Sequence, residues 1–127
     1  MVYLSHIEAY RDQAFLNRKL LRWQPETIAM LPLGVGVLPF LVPGSAALME
    51  ATVSGLREHD IVLWSKHGVI SRSEISVDHA ADIIEYAEAA ARYEYMNLAA
   101  GCRADGLTAE ELTAVAVAFD VSSKVIP

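Results

Sequence analysis

Residues 28–43, IAMLPLGVGVLPFLVP, constrain this chain more than any other stretch. They are its most apolar segment, yet Pro32, Pro39 and Pro43 interrupt them, and Gly34 and Gly36 lie between. A proline inside a helix removes a backbone donor and clashes with the preceding turn, so the segment makes a poor membrane span. It reads instead as short strands joined by turns, with ETIAMLP and GVGVLPFLV as the two strands and the prolines pushing them toward edges or bends.

The flanking patterns are helical. VYLSHIEAYRDQAF places Leu4, Ile7 and Ala14 near one side, and FLNRKLLRW suits a second short helix ending near Pro25. After PGS, with Ser45 as a plausible N-cap, Leu48, Met49, Thr52, Val53 and Leu56 recur at helical spacing as far as Arg57-Glu58-His59. IVLW, residues 61–64, is a continuous apolar run, as in a strand buried on both faces, and Val69-Ile70 predict a second strand after a tight corner at His67-Gly68. Ser76 can cap a long helix lined by Ile83, Ile84, Ala87, Ala91 and Leu98 and stopped at Gly101. Thr108 and Glu111 have the spacing of a capping box for a last helix through Phe119. Alternating helices and strands predict an α/β sheet with helices packed on it. The chain opens on a helix with no strand before it.

Length and composition narrow the function classes. The 127 residues suffice for one domain, and 54% hydrophobic with 20% charged residues describes a globular chain. A net charge of −6 and a pI near 5.1 argue against nucleic-acid binding, since ten dispersed Lys and Arg assemble no basic face. With Cys102 alone there is neither an intrachain disulfide nor a cysteine zinc site, and a cytoplasmic location fits. The opening MVYLSHIEAYRD lacks a basic region followed by an apolar one, so neither a secretory signal nor a membrane partner is expected.

Few residues invite chemistry. His6, His59 and His79 read as solvated or cap-adjacent, and no His-Glu-x-x-His spacing occurs. Gly34 and Gly36 lack the rest of a phosphate-binding fingerprint, and Ser45 lacks an acid–base partner. His67 differs, because a strand terminus hands a side chain to the surface and Gly68 lets the backbone turn or a ligand approach. Its ring either satisfies loop carbonyls or ligates a metal, and the residues alone support both. Glu26 after Pro25 reads by itself as a first-turn carboxylate near unpaired amides.

Several segments in order, WQPETIAMLPLGVGVLPFLVPGS, HDIVLWSKHGVISRS, IIEYAEAAARYEY and GLTAEEL, resemble the class II aldolase/adducin family. The resemblance implies a three-layer α/β/α sandwich, with residues 1–127 as the C-terminal part of a single domain. It implies zinc held by three histidines, His67 standing at the third, and a His-x-His pair expected ahead of YLSHIEAY, upstream of residue 1. The phosphate-binding region and an upstream acid–base glutamate are expected there too. Glu26 matches a catalytic glutamate inserted into a neighbouring subunit's site, so a homo-oligomer with sites between subunits is implied. The implied substrate is a sugar phosphate, a ketose 1-phosphate cleaved to dihydroxyacetone phosphate and a short aldehyde. Epimerases and dehydratases of the family share the metal corner, and a non-catalytic adducin-like assembly module is the alternative. A chain holding part of a sheet is also expected to expose a strand edge and apolar surface.

Overall fold

The computed structural model describes residues 1–122. Three strands form one sheet in the order β1 (Val35–Leu38), β2 (Ile61–Trp64), β3 (Gly68–Ser71). β1 and β2 run parallel, with Val35 opposite Ile61, and β2 and β3 run antiparallel, with Trp64 opposite Gly68. The helices are α1 (Gln13–Leu20), α2 (Pro25–Met30), α3 (Ala46–Glu58), α4 (Val77–Ala99) and α5 (Ala109–Ala118).

Period-two alternation sorts the sheet residues into two faces. Val35, Ile61 and Leu63 join Leu16 and Leu20 of α1 and Ile83 and Ala87 of α4 in the main core. Val62 and Trp64 face the other way, toward α3. Helix, sheet and helix thus form three layers, as expected. Two glycines let α3 lie close: a Cβ at Gly36 would meet the His59 ring at 2.7 Å, and one at Gly55 would meet Val62 at 3.0 Å.

The cap chemistry holds. Ser45 accepts from Leu48 N–H and Ser76 from His79 N–H, and Thr108 and Glu111 bond reciprocally. Each such cap contributes about 1 kcal/mol. Gly101 takes φ +81° just beyond α4.

Three expectations need correction. The opening helix is two 3₁₀ turns, Val2–His6 and Glu8–Arg11, broken where Ile7 is extended; α1 begins only after Asp12 caps it by accepting from Phe15 N–H at 2.7 Å. ETIAMLP is helical, not a strand. Pro25 sits at the first helical position, where its missing N–H costs nothing, and Leu31 N–H donates to Thr27 C=O at 2.9 Å, a bond of helical span. GVGVLPFLV contributes a strand only over Val35–Leu38, and Pro39 ends it.

The expected open edge is found at β3, which pairs with β2 alone among the described residues, and is closed at β1. The outer backbone of β1 is covered by side-chain amides of α1. Asn17, buried, donates to Val35 C=O (2.9 Å) and accepts from Val35 N–H (2.8 Å), while Gln13 accepts from Val37 N–H (2.9 Å). One helical turn apart, the two amides stand in for a neighbouring strand. Apolar surface is nevertheless uncovered at Phe40, Val42, Met49 and Val53.

Candidate functional site

The C-terminal ends of β1 and β2 lead into one corner of the molecule. Ser65 ties them together, its N–H and hydroxyl both donating to Leu38 C=O (3.2 and 2.5 Å). A turn follows, closed by His67 N–H donating to Trp64 C=O at 2.9 Å. The left-handed residue is Lys66, φ +63°, and Gly68 has no positive φ. A Cβ at Gly68 would sit 3.8 Å from the Trp64 ring, ordinary contact, so neither turning nor internal packing demands glycine there. Lys66 N–H donates to the hydroxyl of fully buried Ser5, which itself donates to Val2 C=O; the first 3₁₀ turn braces the corner.

His67 is exposed and stacks on the Trp64 indole, ring centroids 5.0 Å apart at 29°. Among the described residues no hydrogen bond reaches either nitrogen of this ring. His59 lies against Leu33 C=O (2.8 Å) and Gln13 (3.3 Å), and His79 against the Ser73 hydroxyl (2.8 Å). His67 does not satisfy loop carbonyls; it offers a free imidazole edge to the outside. Glu26 is also exposed, in the first turn of α2, which packs on α4 and α5.

Sequence reading missed what anchors the Glu26 segment. Glu94 of α4 is 1% exposed and accepts from the Tyr10 hydroxyl and from Trp23 Nε1–H (3.0 Å), with Arg22 at 3.6 Å. Burial first, and then the Glu94 carboxylate, push the Tyr10 hydroxyl pKa well above its ordinary value. Glu94 falls within the apolar stripe of Ala87, Ala91 and Leu98, and a charge inside a buried stripe is the signal that marks it. A cleft of about 580 Å³ beside this anchor is lined by Gln24 and by Glu88, Arg92, Tyr93 and Met96 of α4.

The donor set limits the metal chemistry. One neutral imidazole suits zinc as a ligand, but a zinc site takes three or four protein donors. Among the described residues no three His, Cys, Asp or Glu side chains converge. By themselves these residues do not fit the ion.

A mixed α/β domain with this small three-stranded sheet matches a known class. Residues 5–95 match the Class II Aldolase and Adducin N-terminal domain, and the chain belongs to that family. The particular relatives carry one name. Rhamnulose-1-phosphate aldolase of Enterobacter sp. (strain 638) is 36% identical over 87% of this chain and 40% of its own length. The proteins of that name from Bacteroides thetaiotaomicron and Yersinia pestis (strain Pestoides F) are 30% and 31% identical, over 95% and 96% of this chain and 45% and 44% of theirs. A sugar-phosphate aldolase structure from Thermotoga maritima superposes with a TM-score of 0.69 at 33% identity, covering 79% of this chain and 41% of that one. The chain therefore spans less than half the length of the curated relatives it matches. No helix among the described residues is long and apolar enough to cross a membrane.

Proposed function

We propose that this chain is the C-terminal portion of a zinc-dependent aldolase that cleaves L-rhamnulose 1-phosphate to dihydroxyacetone phosphate and L-lactaldehyde. The observation that carries the substrate is the shared name of relatives aligned over 87–96% of the chain. In this reading His67 is one of three zinc-ligating histidines, and the other donors and the phosphate-binding residues lie outside these 127. Glu26 holds or hands on a proton in the active site of a neighbouring copy within a homo-oligomer in the cytoplasm. The exposed position of both side chains supports sites completed by other surfaces.

The test is a chimera in which this chain replaces the matched segment of the Enterobacter enzyme. The graft is expected to bind zinc and cleave L-rhamnulose 1-phosphate. His67→Ala should remove zinc and lower kcat/KM roughly 1,000-fold, about 4 kcal/mol of transition-state stabilisation. Glu26→Gln should lower kcat about 100-fold with zinc retained. A folded, inactive graft free of zinc would support a non-catalytic assembly module instead. The 127-residue chain alone should show no turnover; turnover abolished by His67→Ala overturns the reading.

A further inference from the structure

We propose that Thr52, acting through Trp64, is the positioning residue for the His67 imidazole; the inference rests on the reading of His67 as a functional group. Histidines that serve as ligands are ordinarily oriented by a hydrogen bond at the nitrogen away from the ligand. His67 has no such bond among the described residues, whereas His59 and His79 are each held through a ring nitrogen. What touches its ring is the Trp64 indole, at 5.0 Å and 29°.

A stack fixes the imidazole only as well as the indole is itself fixed. Trp64 Nε1–H donates to Thr52 Oγ1 at 2.9 Å. The Thr52 hydroxyl in turn donates to Leu48 C=O, one turn back in α3, at 2.6 Å, which spends its proton and aims a lone pair at the indole. Thr52 is 8% exposed, so water competes poorly for either bond. Orientation thus passes from a helix carbonyl to a hydroxyl, an indole and an imidazole. A ring gripped by its face keeps both edge nitrogens free, which a hydrogen bond from below would not allow.

The test uses proton NMR on the 127-residue chain, with His67 ring resonances assigned by comparison with His67→Ala. Stacking over an indole moves these protons upfield. In Thr52→Val, of nearly the same shape but without a hydroxyl, His67 should lose most of that displacement and Trp64 Nε1–H its protection from exchange. Amides of Ile61, Val62 and Leu63 should stay in place, and Thr52→Ser should restore both signals. An unchanged His67 displacement in folded Thr52→Val overturns the proposal. If Thr52→Val does not fold, Thr52→Ala decides, because it also removes the hydroxyl and leaves the indole intact: loss of the His67 displacement with the Ile61, Val62 and Leu63 amides in place supports the tether, and retention refutes it. Failure of the chimera to bind zinc would sink the functional reading and leave this measurement standing.

Discussion

Replacing Asn17 with leucine removes the amide that covers the outer edge of β1 while keeping nearly the same volume. Val35 is fully buried, so both its N–H and its C=O lose their partners with little access to water. A buried backbone group left unpaired costs about 1–3 kcal/mol, and the apolar gain of leucine offsets part of two such losses, leaving roughly 2–4 kcal/mol of destabilisation. For a domain of this size that lowers Tm by roughly 8–15 °C. Gln13→Leu is the internal control. Its bond to Val37 N–H is solvent-exposed, water can replace it, and the expected cost is below about 0.5 kcal/mol. Thermal unfolding followed by circular dichroism, with urea melts for the free energies, measures both. Equal, small effects for the two variants would show that water satisfies the strand edge and that α1 is not its cap.

Tyr10→Phe removes a buried bond to the Glu94 carboxylate and should cost about 1.5–3 kcal/mol at neutral pH, read from urea melts. The folded-state pKa of Tyr10 is raised above its ordinary value of 10.0, so its contribution is complete below pH 10 and is lost as pH climbs beyond it. Wild-type stability should therefore fall above pH 10 more steeply than that of Tyr10→Phe, and parallel alkaline curves would refute the assignment. Lys66→Gly relieves a left-handed lysine at φ +63° and should stabilise the chain by about 1 kcal/mol, with a destabilised variant in the same melts refuting strain at the turn.

Much of the architecture is readable because its determinants are local. Ser45, Ser76 and the Thr108–Glu111 pair mark helix starts through bonds spanning three residues, and Ile61–Trp64 announces a buried strand by composition alone. Residues 25–30 are misread because Thr27 and Ile28 favour strands by propensity, while burial against α4 and α5 and a proline at the first helical position decide for helix. The edge cap is not legible, since Asn17 and Val35 lie 18 residues apart and nothing in either announces the other. At the site, the corner at His67 is visible in advance, but strain at Lys66 is not, because lysine carries no preference for the left-handed region. The orientation of the imidazole depends on Thr52, which reads in sequence as one more member of a helix stripe. A cofactor cannot be read from a single imidazole; only kinship with whole enzymes points to one.

The amides of α1 also give the sheet a direction of growth. With the flank at β1 plugged by Asn17 and Gln13, an incoming segment of polypeptide finds open backbone only along β3, which pairs with β2 alone among the described residues. β3 begins one residue after His67. A segment pairing along the start of β3 would therefore lie beside that imidazole.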